Sequence, residues 1–134
     1  MKYRVRKEAL LDDVSSMRQR MRQQLDRSES GSFDLKQGEG GIADIEFIVQ
    51  YLVLGNAASH PAVIHYSDNI RQLGTLAAAS SLPDEDVLRL QEIYKTYRLR
   101  MHHLVLDEQP PLVPDTEFKD QRAFVNMLWS RTMQ

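Results

Sequence analysis

Phe33-Asp34-Leu35-Lys36-Gln37-Gly38-Glu39-Gly40-Gly41-Ile42-Ala43-Asp44-Ile45-Glu46-Phe47 packs three glycines into four positions, sets a lysine before them and two carboxylates after, and runs into an apolar segment. Glycines sit where a backbone needs φ > 0 or must come close to another group. From Ile42 onward Ile45, Ile48, Val49, Leu52 and Val53 give a helix that is apolar over a broad face and therefore expected to be central. Gly55 and Asn56, residue types favoured at a helix C-terminus, close it.

Helices lie on both sides of this stretch. Leu10, Val14, Met17, Met21 and Leu25 recur at steps of three and four and so share a face, with Arg18, Arg20, Arg22 and Arg27 over much of the remainder. Ser28-Glu29-Ser30-Gly31-Ser32 reads as a loop, and Phe33 to Lys36 is only long enough for an extended stub. Ser67 is a good N-cap for a helix carrying Ile70, Leu73, Leu76 and Ala77 to about Ser80. Pro83-Asp84-Glu85-Asp86 suits the first turn of a long helix with the stripe Val87, Leu90, Tyr94, Tyr97, Met101 and Leu104. Pro110, Pro111 and Pro114 break the chain before a last helix from about Asp115, which displays Phe118, Phe124, Val125, Leu128 and Trp129. That aromatic cluster either packs internally or covers a further domain. No window alternates as a half-buried strand does. The fold expected is an all-α helical bundle of about five helices, a single domain over residues 1–134, with a short glycine-rich extended or turn segment after the first helix.

Composition narrows the function classes. The 134 residues are 42% apolar and 27% charged, ordinary for a soluble globular domain, and a net charge of −2 gives no reason to expect nucleic acid or an anionic membrane as partner. With no cysteine, disulfides and thiolate metal sites are excluded. No apolar run reaches bilayer-spanning length, and Met1-Lys2-Tyr3-Arg4-Val5-Arg6 does not begin a signal peptide.

The glycine run has two readings, a tight structural turn and a ligand-contacting loop at a helix N-terminus. It is not a Walker A sequence, because Lys36 precedes the glycines and no Lys-Ser/Thr follows them, nor a dinucleotide fingerprint, which needs a preceding strand and a βαβ unit. Asp44 and Glu46 fall in the first helical turn, favouring the helix but repelling an anion. They lie roughly 200° apart around a helix and do not form one acid–base pair. His102 and His103 are adjacent and diverge, so they do not chelate one metal as an i, i+4 pair would, and their place near a helix C-terminus suits the dipole. His60 and His65 read as loop residues. No HExxH, serine elbow or cysteine nucleophile is present, so no catalytic residue and no metal ligand is assigned.

Read from Phe33 to Leu54, the pattern Phe-Asp-Leu-Lys-x-Gly-x-Gly-Gly-Ile-x-Asp-Ile-Glu-Phe-Ile-x-Gln-Tyr-Leu-Val-Leu closely resembles the signature of the glutamine synthetase (glutamate-ammonia-ligase) adenylyltransferase and adenylyl-removing family. The resemblance continues through Tyr66-Ser67-Asp68-Asn69-Ile70-Arg71 and His102-His103-Leu104-Val105-Leu106. It implies a bifunctional bacterial, cytoplasmic enzyme of two homologous halves, one transferring AMP from ATP to a tyrosine of glutamine synthetase and the other removing it by phosphorolysis. The forms of these motifs look like the C-terminal, adenylylating half. Each half resembles the DNA polymerase β nucleotidyltransferase superfamily, whose separated aspartates hold two metal ions. No Asp-x-Asp on a strand occurs here, since Asp84-Glu85-Asp86 stands at a helix start. The chain is therefore expected to be a C-terminal helical domain downstream of an absent nucleotidyltransferase domain, and inactive alone. Mg2+ and ATP are implied for the full-length enzyme and no cofactor for this part. The implied partners are glutamine synthetase, a PII signal protein and the upstream domain of the same chain. Lys36, Gly38, Gly40, Gly41, Asp44 and Glu46 are the candidates for nucleotide binding or a domain interface. The glycine run then reads as a hinge-like corner with Lys36 as its hand on a nucleotide. The alternative is a regulatory module docking glutamine synthetase or PII.

Overall fold

The computed structural model describes residues 2–56 and 82–133, with side chains described for 11–51 and 82–133. In chain order the elements are α1 (Lys2–Leu25), β1 (Ser32–Asp34), α2 (Ile42–Asn56), α3 (Asp84–Leu106), β2 (Leu112–Pro114) and α4 (Lys119–Met133). Helix therefore dominates, as the apolar periodicity predicts. Four of the five expected helices stand among the described residues, and the helix expected from Ser67 to about Ser80 lies outside them, as do His60 and His65.

The expectation of an all-α domain is corrected. β1 and β2 form an antiparallel ladder with Phe33 opposite Val113. Two further bonds lengthen it: the Leu35 N–H donates to Pro111 O at 2.8 Å, and the Asp115 N–H to Gly31 O at 3.1 Å. Three-residue strands cannot display an alternation, so the sequence carried no periodic signal for them. What holds them is burial of the Phe33 and Val113 side chains in the common core.

Helix α2 is central. Ile42, Ile45, Ile48 and Val49 are buried on it, and it packs against each of the other three helices. Each fully buried aliphatic side chain of this size contributes about 1.5 to 3 kcal/mol. Helix α3 turns Val87, Leu90, Ile93, Tyr94, Tyr97 and Leu104 inward, close to the expected stripe, with Met101 at its margin. It ends in a Schellman arrangement, with Glu108 at φ 56°, its N–H on Val105 O at 3.1 Å and the Gln109 N–H on Leu104 O at 2.8 Å.

Helix α4 starts four residues later than Asp115, because Phe118 occupies the left-handed region at φ 60° and only its carbonyl, accepting the Arg122 N–H at 2.8 Å, joins the helix. Phe118 is thus a turn residue whose ring meets Tyr97 edge-on at 5.2 Å, while Phe124 is buried and Trp129 packs at the core's edge. The aromatic cluster of the last helix therefore packs internally.

Helix α1 differs most from its sequence pattern. About 36 Å long at 1.5 Å per residue, it presents Leu11, Val14 and a fully buried Arg18 to the core, whereas Met17 and Leu25 are 51% and 48% exposed. One residue is a rotation of about 100°. The buried face is centred on Arg18, not on Met17.

Candidate functional site

The glycine run forms a corner between β1 and α2, and most of its polar groups are hydrogen-bonded, within the run or to α1 and the loop after it. Asp34, buried at the end of β1, organises the turn: Oδ1 accepts the N–H groups of Lys36 at 3.0 Å and Gln37 at 2.9 Å, and Oδ2 accepts that of Arg27 at 3.0 Å. Its own N–H donates to Ser28 Oγ at 2.9 Å. The Gly38 N–H bonds Asp34 O at 2.8 Å, Gly41 bonds Gly38 O at 3.0 Å, Ile42 bonds Leu35 O at 2.9 Å and Ala43 bonds Lys36 O at 2.9 Å. These are the amides that a phosphate-cradling loop would leave free. Here they close on their own carbonyls, so the corner does not form an open backbone nest for an anion.

The three glycines supply close approach. A Cβ on Gly38 would stand 2.6 Å from Asp34 O, one on Gly41 2.5 Å from Leu35 O, and one on Gly40 2.7 Å from Arg122 O in α4. Gly40 also lies at φ +83°, where an L side chain is strained. The same Arg122 lays its guanidinium over the Phe33 ring at 3.9 Å and donates to Asp115 O at 2.7 Å, so α4 is seated on both β1 and the corner.

Asp44, three residues into α2, faces inward and is saturated. Its Oδ1 accepts Arg18 Nε at 2.6 Å and Arg22 Nη2 at 2.8 Å, and its Oδ2 accepts Arg22 Nη2 at 3.0 Å and the Gly40 N–H at 2.8 Å. The bond to Gly40 ties down an orphan donor ahead of the helix, much as the acid of a capping box does. Arg18 in turn donates to Gln37 Oε1 at 3.0 Å and to Gln37 O at 2.6 Å. Every guanidinium nitrogen of Arg18 is paired, which is what makes its complete burial tolerable. Arg22 reaches Glu39 at 3.5 Å on the surface.

Lys36 is the exception. Its backbone is fixed at both the N–H and the carbonyl, but its side chain is exposed, and no carboxylate among the described residues pairs with its ammonium. Gly38, Gly40, Gly41 and Asp44 are buried, and Glu46 is half-buried one turn along α2. The structure thus brings Lys36, the three glycines and Asp44 into one corner with divided roles: one outward cation, and an inward frame. Arg18 and Gln37, which complete that frame, carried no functional signal in the sequence reading. The spacing Leu11, Val14, Arg18, Met21, Leu25 does place an arginine at a core position of α1. A charge in such a position needs a buried partner.

His102 and His103 are exposed in the last turns of α3, with ring centroids 6.4 Å apart. Among the described residues no three histidine or acidic side chains converge as a metal site would require, and no helix is long and apolar enough to cross a membrane.

Residues 14–128 match the family profile described as GlnD PII-uridylyltransferase. Among curated proteins, the chain is 47% identical over 125 residues to the bifunctional glutamine synthetase adenylyltransferase/adenylyl-removing enzyme of Nitrosococcus oceani, covering 93% of this chain and 13% of that protein. The enzymes of the same name from Thioalkalivibrio sulfidiphilus and Pseudomonas aeruginosa are 42% and 40% identical, over 96% and 91% of this chain and 13% and 14% of theirs. The chain therefore spans about 13% of the length of these relatives. It belongs to the family that the GlnD PII-uridylyltransferase profile describes, and corresponds to one segment of the glutamine synthetase adenylyltransferase/adenylyl-removing enzymes.

Proposed function

We propose that this chain is the C-terminal helical domain of a bacterial, cytoplasmic enzyme that adenylylates glutamine synthetase from ATP and deadenylylates it, and that it supports nucleotide binding without performing the chemistry. The observation that carries the reading is Lys36: an unpaired, outward ammonium on a backbone pinned at both ends. A lysine presented in this way is a compact point charge suited to a phosphate. The glycines and Asp44 act behind it as the frame, letting β1, α2 and α4 meet closely.

The residues fit ATP only in part. Lys36 can contact a phosphate, but Asp44 is consumed by two arginines and Asp34 by backbone N–H groups, so neither of these buried acids is free to hold Mg2+. Metal binding and catalysis accordingly fall to the nucleotidyltransferase domain expected upstream. Lys36→Glu in the full-length enzyme is expected to abolish ATP-dependent adenylylation while folding and glutamine synthetase binding stay normal. Unchanged ATP dependence would sink this reading.

A second reading, docking of glutamine synthetase or a PII protein, is favoured by one feature. Leu88, Leu99 and Leu106 are exposed on α3, 11 and 7 residues apart, and align within about 20° on one face. Leu99→Asp that impairs partner binding and leaves Mg-ATP binding intact would support it.

A further inference from the structure

The corner has a feature that the nucleotide reading of Lys36 does not use. The backbone that carries this lysine is held from outside the loop, at three points on or just after α1. Arg18 clamps Gln37 through both its side-chain and main-chain oxygens, at 3.0 and 2.6 Å. The Arg27 N–H and Ser28 Oγ hold Asp34 at 3.0 and 2.9 Å, and Asp34 Oδ1 in turn holds the N–H groups of Lys36 and Gln37. Arg18 itself is immobilised by Asp44. Asp34, two residues before the exposed cation, and Gln37, the residue after it, are thus each attached to the α1 side by a charge-assisted bond, while the cation has no such attachment of its own.

We propose that Arg18 is a positioning residue for nucleotide binding: it fixes the Lys36–Gln37 backbone so that the Lys36 ammonium is aimed before a phosphate arrives. The inference rests on the reading of Lys36 as a phosphate contact. Its physical content is preorganisation. A side chain whose backbone is already ordered gives up less freedom on binding, and a clamp that is loosened makes the same contact weaker without removing it. Arginine suits the task because its planar fork donates in three directions at once, here to Asp44, Gln37 Oε1 and Gln37 O. A lysine in its place keeps a charge for Asp44 but lacks the three separate nitrogens that span Asp44 and both oxygens of Gln37.

The test is a double-mutant cycle on Mg-ATP affinity in the full-length enzyme, with unfolding midpoints measured in parallel. Lys36→Ala is expected to weaken Mg-ATP binding by roughly ten- to a hundredfold, the range of a charged hydrogen bond. Arg18→Lys is expected to weaken it about tenfold in the native background and to have no further effect when Lys36 is already alanine, whereas its loss of stability persists in both backgrounds. Gln37→Ala keeps the Arg18–Asp44 pair and guards against misfolding of the first variant. Its smaller effect on affinity should likewise vanish in the Lys36→Ala background. Additive effects of Arg18→Lys or Gln37→Ala on affinity, or no effect while Lys36→Ala weakens binding, would overturn the positioning role alone. No effect of Lys36→Ala would overturn it together with the phosphate reading.

Discussion

The Nε of Arg18 lies 2.6 Å from Oδ1 of Asp44, and both side chains are buried, so α1 is joined to the first turn of α2 by two charges that water does not reach. Such a pair is costly to assemble and costlier to break, because the partner left behind is a desolvated, unpaired ion. Asp44→Asn is expected to destabilise the domain by about 3 to 5 kcal/mol in urea unfolding. Glu39→Ala, which removes only the exposed contact to Arg22, is expected to cost less than about 1 kcal/mol.

Gly31 and Gly40 share a backbone conformation, φ +87° and +83°, but not an environment. A Cβ on Gly31 meets nothing within 4 Å, so Gly31→Ala should cost about 1 kcal/mol of backbone strain. A Cβ on Gly40 meets the α4 backbone at Arg122 O, 2.7 Å away, and α4 must shift to admit it. Gly40→Ala is expected to lose at least about 2 kcal/mol, read from thermal or urea unfolding of both variants.

Tyr97 is fully buried, and its hydroxyl has no hydrogen-bond partner among the described residues. Tyr97→Phe should therefore be neutral or stabilising by about 1 kcal/mol. Burial raises the phenol's pKa well above its ordinary 10.0; the charge of Arg122 opposes this and that of Asp44 adds to it. The folded state thus keeps a proton that the unfolded chain releases. The corresponding stability is present below the unfolded-state value and is lost as the pH climbs above it. Between about pH 9 and pH 11 the urea midpoint of the native protein should fall more than that of Tyr97→Phe.

Glu108 closes α3 in the left-handed region that favours glycine, and its side chain is exposed. Glu108→Gly should stabilise the domain by about 0.5 to 1 kcal/mol, a rise in melting temperature that differential scanning calorimetry resolves. A fall would mean that Glu108 holds a contact beyond its cap.

Helices whose burial is aliphatic were legible in the sequence. α2 and α3 could be read because Ile45, Ile48, Val49, Val87, Leu90 and Leu104 repeat with the helical period and face one core. The extended stub at Phe33 was read, but neither β2 nor the pairing was, because three residues hold no period and the partner lies about 80 positions away. The start of α4 was misplaced because Phe118 adopts a positive φ that nothing about phenylalanine signals. In the corner the glycines announced close packing, but the identity of the neighbour, Arg122, is set by the tertiary fold. Arg18 was read as part of a polar face because an arginine at a core position becomes intelligible only once Asp44 and Gln37 are seen opposite it.

In the proposed function, Lys36 meets a nucleotide whose metal and chemistry are held by another part of the enzyme. Calorimetric titration with Mg-ATP decides this, first on residues 1–134 alone and then on the same residues joined to the nucleotidyltransferase domain proposed to lie upstream. Negligible binding in the first case, clear binding in the second, and loss of that binding with Lys36→Glu is the result predicted. Tight Mg-ATP binding by residues 1–134 alone, or binding by the joined protein that Lys36→Glu leaves unchanged, would contradict it.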